Sequence, residues 1–431
     1  MTELLGGVAR LEITPPLGKP LSGNPVDRPG KAERVDSPLW VRTLSLRSGD
    51  RRVVLAGLDL LAVDHLLAAD IRTDLEERLR VPGDQVMLWA THTHGGPAGL
   101  LRACPAVDGP FDRPLYDAVR AAVLAAVGEA IAREQPVRLG VGQSEVRGIG
   151  TNRVDPAGPM NATCTVLRVD RTDGEPLAAL VHYACHPTLG NFELAYSADY
   201  PGYALQALEA AVPGVVGLFA NGASGDVSTR FTRRGLGDPE ARRIGGMLGD
   251  AAIGIYRSIR TAPGCELRSL SRRITLRLRR YPPLEVLQAA EEAAARAAAA
   301  GRAAGLDAAS QRSLDIKLVG ARMARVMAAS RPGDSLPAEV QAVRIGDLVM
   351  VGIPGEMFAE TGNAILGSLP RPAVVVGYAN GYLGYLVPRS EAQSDSYESQ
   401  IALVEADEVA RLRDASVSCG LAVSRDSLSP D

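Results

Sequence analysis

Short apolar runs alternate along this chain with longer amphipathic stretches. Val53–Leu61, Gln85–Ala90, Thr165–Val169, Ala178–Tyr183 and Gly214–Ala220 each lead into, or lie close to, Gly, Pro, His or Asp. That pattern predicts buried strands ending in functional loops. His65–Leu79 and Leu115–Glu134 instead repeat apolar residues every three or four positions, which predicts helices. Pro283–Leu318 is rich in Ala, Glu and Arg and opens on Pro282–Pro283. It predicts a long helix or helical hairpin with Gly301 and Gly305 as weak points, read as a surface helix packed on the core rather than a lid. Val340–Val351 reads as a hairpin around Ile345–Gly346–Asp347, and Ala373–Gly377 as a further buried strand. The alternation of strand and helix argues for an α/β fold of layered β-sheets flanked by helices. We expect a single domain over residues 1–431, with a lobe boundary near 265–283.

Composition narrows the function classes. Hydrophobic residues make up 46% of the chain but aromatic ones only 4%, so the core is expected to be aliphatic. A net charge of -3 gives no electrostatic reason for a nucleic-acid partner. The local run Arg272, Arg273, Arg277, Arg279 and Arg280 interleaves with Ile274, Leu276 and Leu278, as on a strand with one wet face. Five scattered cysteines without a CxxC pair indicate neither a disulfide framework nor a cysteine zinc site, and fit a reducing compartment. The opening MTELLGGVARLEITPP lacks a basic segment followed by an apolar one, and no uncharged apolar run approaches the roughly 20 residues of a membrane span. The expectation is a cytoplasmic protein without stable membrane insertion.

The candidate chemistry lies in the histidines. The chain has five, and four fall into two clusters: His92 with His94 in ATHTHGGPAG, and His182 with His186 in HYACHPT. Both clusters follow apolar strand patterns, and imidazole is a ligand suited to zinc. On an extended strand end His92 and His94 would point to the same side. Two histidine clusters converging at strand ends also match where α/β enzymes place ligands. We therefore read a metal site, with His65 structural and His182 in the core or supporting the site from behind. Glu356, in GIPGEMF, stands after a strand end and is compatible with metal ligation or with an ordinary loop carboxylate. The loop NGASGDVST, residues 221–229, is neither a GxSxG elbow nor a Walker loop, and on its own reads as a turn.

Taken in order, these segments resemble the neutral (non-lysosomal) ceramidase family. VARLEITPPLGKPLSG is similar to its DITPPxG opening, THTHGGPAG to HTHSGPxG, and Gly150–Thr151–Asn152–Arg153 to its Asn-Arg motif. His186–Pro187–Thr188 is similar to HPT, Ser197–Ala198–Asp199–Tyr200–Pro201–Gly202 to the SGD loop, and GASGDVST to NxGDxSPN. Pro354–Gly355–Glu356 is similar to PGE, and Asn380–Gly381–Tyr382–Leu383–Gly384–Tyr385 to SNxYxxY. The resemblance implies a catalytic domain of that family with zinc (Zn2+) bound by His92, His186, Glu356 and Tyr385. It implies that His94 and Arg153 contact the scissile amide, that Ser228 is catalytic, and that Asn152, Asp199 and Tyr382 bind substrate. Ala223 and Thr229 replace the Asn and Pro of the serine loop, and Gly95 replaces the Ser after HTH. The C-terminal β-sandwich and secretion signal of the family are not expected here.

The function this implies is zinc-dependent hydrolysis of an amide, either an N-acyl lipid such as ceramide or a smaller soluble amide. Zinc would acidify water and polarise the carbonyl, while Tyr385, His94 and Arg153 stabilise the oxyanion. Asp199 or His94 would serve as the general base. The alternatives are a serine esterase or lactonase using Ser228 and, third, a ligand-binding protein without catalysis.

Overall fold

The computed structural model describes residues 3–23, 30–103, 105–190 and 193–425. Cys104 lies outside them. The main path of the larger sheet runs through β1 (Leu4–Glu12), β2 (Trp40–Ser48), β3 (Arg51–Leu58), β4 (Val86–Ala90), β5 (Gln135–Glu145), β6 (Thr163–Arg171), β7 (Pro176–Tyr183) and β8 (Val216–Asn221), with the short strand Ala262–Pro263 paired to β5 off that path. Their order is β8-β7-β6-β5-β1-β2-β3-β4. The pairs at the two ends, β8 with β7 and β3 with β4, are parallel, and the strands between them are antiparallel. The second sheet runs β9 (Leu267–Arg277), β10 (Ser335–Ile345), β11 (Leu348–Gly352), β12 (Ala373–Val376), with its last pair parallel.

The strands are apolar on both faces, and each face has its own partner. Val53, Leu55, Met87 and Trp89 meet Val343, Ile345, Met350 and Val374 of the second sheet in one buried cluster. Their neighbours Val54, Ala56, Val86 and Leu88 join Leu67, Ile71, Val119 and Val123 of the helices His65–Leu79 and Arg113–Ala132. Val166, Val181 and Phe219 pack on the helices Asp199–Ala211 and Asp238–Ser258. On the far face of the second sheet, Ala342 and Val351 lie in a cluster with Val409 and Leu412 of the helix Ala406–Ser424. The layers are therefore helix, sheet, sheet, helix, and the period of two along each strand dictates that stacking.

The larger sheet curls so that its ends meet. The indole N–H of Trp89 on β4 donates to the carbonyl of Phe219 on β8 at 2.7 Å. Gly57 makes room for this ring, since a Cβ there would lie 3.0 Å from it. The carboxyl ends of β3, β4, β7 and β8 are thereby gathered at one edge, where ligand sites of α/β sheets form.

Several boundaries differ from the sequence reading for local reasons. β3 stops at Leu58, and Asp59–Leu61 bends instead. β8 starts at Val216, after Gly214 with φ +89°. The Ala-rich stretch is a helical hairpin, Leu284–Ala303 and Ala308–Ala329, with Gly305 at φ +66° between the arms. On β9 Arg273 and Arg277 are exposed while Leu276 is buried. No helix among the described residues is long and apolar enough to cross a membrane.

Candidate metal centre

The bend after β3 shapes the first histidine loop. Leu58 O accepts from Thr91 N, Leu60 O from His92 N at 3.0 Å, and Leu61 O from His92 Nδ1 at 2.8 Å. These bonds hold His92 at φ +69°, a left-handed conformation uncommon outside glycine. The ring also stacks on Tyr378, 4.0 Å between centroids. The expected extended strand end is thus a tight turn. Its rings still converge, with His92 and His94 5.0 Å apart and nearly perpendicular. The second loop is fixed by His186 N donating to Val227 O at 2.9 Å.

Each of the three rings bonds a backbone carbonyl through Nδ1: His92 to Leu61 O, His94 to Gly23 O at 3.1 Å, and His186 to Ser224 O at 2.6 Å. A carbonyl only accepts, so the proton sits on Nδ1 and each Nε2 presents a bare lone pair. The candidate ligand atoms of His92, His94 and His186 lie within 4.8 Å of one another. Nε2 of His92 and of His94 is buried without a hydrogen-bond partner among the described residues. Burial, and next the Arg153 charge, push His186 down to about 4. Burial, followed by the other two histidines, holds His94 well below the ordinary imidazole value.

Against these lone pairs stands Glu356, whose Oε2 is 2.9 Å from His186 Nε2 and 3.4 Å from His92 Nε2. Burial works against its charge, but His92 and His186 favour it and hold the carboxyl well below the usual range. Its other oxygen accepts from Tyr382 OH at 2.6 Å. Acceptors facing acceptors at these distances repel unless a cation lies among them. Two donors each about 2.1 Å from one zinc ion can be separated by no more than about 4.2 Å, and mixed imidazole and carboxylate donors suit that ion. Both measured separations meet this limit, so the donor set fits a metal.

The remaining candidates surround this cluster. Tyr385 OH accepts from Arg153 Nη2 at 2.9 Å, and burial, then the Glu356 charge, raise its pKa well above the ordinary phenol. Arg153 also donates to Gly225 O at 2.8 Å and is ion-paired with Glu398 at 2.7 Å. Ser228 is buried and its Oγ accepts from Arg230 N at 3.3 Å; among the described residues no histidine bonds it. Asn152 spends its amide on Asp226 and Pro159 O and its carbonyl on Val154 N and Asp155 N. Asp199, at φ +55°, accepts from Leu189 N, Gly190 N and Tyr200 N and so organises the chain after His186. Burial raises this carboxyl to about 6, against those backbone donors.

Two contributors escaped the sequence reading. Tyr378, the platform under His92, also bonds Ser224 Oγ through its hydroxyl at 3.1 Å; its only signal was its place just upstream of the tyrosine motif. Glu398, the counter-charge of Arg153, lies on the short helix Tyr397–Ile401 and had no local signal.

The chain is similar in sequence and in fold to known proteins. Residues 30–235 match the family described as neutral/alkaline non-lysosomal ceramidase, N-terminal. Neutral ceramidase A of Dictyostelium discoideum is 28% identical over 172 residues, which cover 34% of this chain and 24% of that protein. A neutral ceramidase of Pseudomonas aeruginosa is 28% identical over 213 residues, 44% of this chain and 31% of that protein. The matched segments therefore amount to under a third of either relative. The crystal structure of neutral ceramidase from Pseudomonas aeruginosa superposes with a TM-score of 0.78 at 22% identity, covering 100% of this chain and 77% of that one. A ceramidase complexed with C2 gives 0.76 at 19% identity, covering 100% and 78%. Over residues 30–235 the chain is thus similar to the neutral/alkaline non-lysosomal ceramidases, and it shares its fold throughout with the neutral ceramidase structure from Pseudomonas aeruginosa.

Proposed function

We propose that this protein is a zinc-dependent amidohydrolase that splits an N-acyl amide of the ceramide type into a carboxylic acid and an amine. The observation that carries this reading is the Glu356 carboxylate set against the bare Nε2 atoms of His92 and His186. His92, His186 and Glu356 would hold the ion. When bound, zinc supplies Lewis acidity that polarises a carbonyl and acidifies water.

The chain's own groups orient and move protons. Tyr385 keeps its proton, and because its oxygen already accepts from Arg153, its O–H is free to donate to the carbonyl oxygen as charge develops there. Arg153, fixed by Gly225 O and Glu398, holds that phenol in place. Tyr382 fixes the rotamer of Glu356. His94, pinned through Nδ1 to Gly23 O, offers Nε2 to take a proton from water and return it to the departing amine.

The ceramidase names of the matched relatives support a lipid amide as substrate. The test is release of sphingosine from a short-chain ceramide by the purified chain, before and after chelation. Activity should vanish with the metal and return with added zinc. Undiminished activity in the metal-stripped protein would favour the serine reading instead.

A further inference from the structure

The loop that carries Ser228 runs directly into a basic turn. Thr229 O accepts from Thr232 N at 3.1 Å and from Arg233 N at 2.8 Å, one tight turn that sets Arg230 and Arg233 three residues apart. Both are half-buried. Arg230 adjoins the site: its backbone N donates to Ser228 Oγ at 3.3 Å, and its Nη1 contacts Arg153 O at 3.4 Å. The exposed Arg312, on the helix Ala308–Ala329, adds positive charge to the field at this turn. Burial, then Arg153 with Arg312 among its neighbours, lowers the basicity of Arg230; burial, then Arg312 and Arg230, lowers that of Arg233.

The nearby carboxylates are committed elsewhere. Glu398 pairs with Arg153 at 2.7 Å and Glu240 with Arg243 at 2.5 Å. Among the described residues no carboxylate forms an ion pair with Arg230, Arg233 or Arg312. Gathering like charges in a half-buried turn without a counter-ion is unfavourable, and a guanidinium fork is the natural receptor for a carboxylate, sulfonate or phosphate.

We propose that Arg230 and Arg233 bind an anionic group of the substrate, so that the amide cleaved is of the N-acyl amino acid class rather than one with the uncharged headgroup of ceramide. This rests on the hydrolase reading and narrows its substrate. The test uses the zinc-loaded chain on matched dodecanoyl amides of glycine, taurine, phosphoethanolamine and ethanolamine. The anionic amides should be preferred in kcat/KM by about tenfold or more, as charge-assisted contacts imply. The best of the three identifies the anion. Arg230→Gln and Arg233→Gln should bring the ratio of anionic to neutral turnover toward one, Arg230→Lys should keep part of it, and added salt should weaken it. Hydrolysis with no anionic preference overturns the inference and leaves the hydrolase reading standing. If no amide is cleaved, calorimetry with non-hydrolysable dodecylsulfonyl-glycine and dodecylsulfonyl-ethanolamine decides. Tighter binding of the acid, lost in Arg230→Gln, supports the anion site, and equal binding overturns it.

Discussion

Replacing Tyr385 by Phe removes one hydroxyl whose structural and chemical roles separate cleanly. Its oxygen accepts from Arg153 at 2.9 Å, but Arg153 retains Gly225 O at 2.8 Å and Glu398 at 2.7 Å. No buried cation is stranded, so the stability lost should be that of one ordinary hydrogen bond, about 1 kcal/mol. The ring keeps its packing in the cluster of Met323, Phe358 and Val387. Catalysis should suffer far more, because loss of one preorganised oxyanion donor costs roughly 10²–10³ in kcat, or about 3–4 kcal/mol. The assay measures kcat, KM and bound zinc on a single preparation, with thermal unfolding as control. The expected outcome is kcat down about a hundredfold or more with KM nearly unchanged, the signature of an interaction made in the transition state, and with zinc retained. A kcat within about fivefold of wild type would refute the donor role. Loss of zinc together with activity would make Tyr385 a ligand, as the family resemblance implies.

Gly95→Ser, which restores the family residue, should destabilise the protein. A Cβ at Gly95 would lie 2.6 Å from Ser197 O and 2.8 Å from Ser197 N, and overpacking of this kind costs about 1–3 kcal/mol; a melting temperature equal to or above that of wild type contradicts it. Intact-mass analysis during turnover should show no acyl adduct, and a stoichiometric adduct at Ser228 would establish a covalent serine mechanism. His182, bonded through Nε2 to Val375 O at 2.8 Å, is pushed by burial down to about 4. The unfolded chain takes up a proton near 6.5 that the folded chain refuses, so stability present above that value is lost as pH falls toward 4, about 2 kcal/mol of it by pH 5. Urea unfolding at pH 7 and 5 should show a smaller loss in His182→Gln, and equal losses would refute the assignment.

The parts legible in sequence were those governed by local periodicity. β4 and β7, each apolar on both faces, announce buried strands, and the histidines just beyond them announce the site. What stayed hidden is tertiary. The turn at His92 depends on the carbonyls of Leu60 and Leu61 after β3, and on Tyr378 stacking from far along the chain. His94 is pinned by Gly23, and Arg153 by Glu398, partners that no spacing rule links to them. Asn152 and Asp199 stand in recognisable motifs, yet their polar atoms serve the loops around them. A motif marks where a residue stands, whereas its hydrogen-bond partners are set by the fold.

Metal content of the purified chain tests the central claim most directly. Elemental analysis of the purified protein should find about one zinc per chain, as the ligand chemistry of such sites requires. His92→Ala and His186→Ala should empty the site, while His94→Ala should retain its zinc and lose turnover. Full zinc occupancy in both His92→Ala and His186→Ala, with folding intact, would contradict the account.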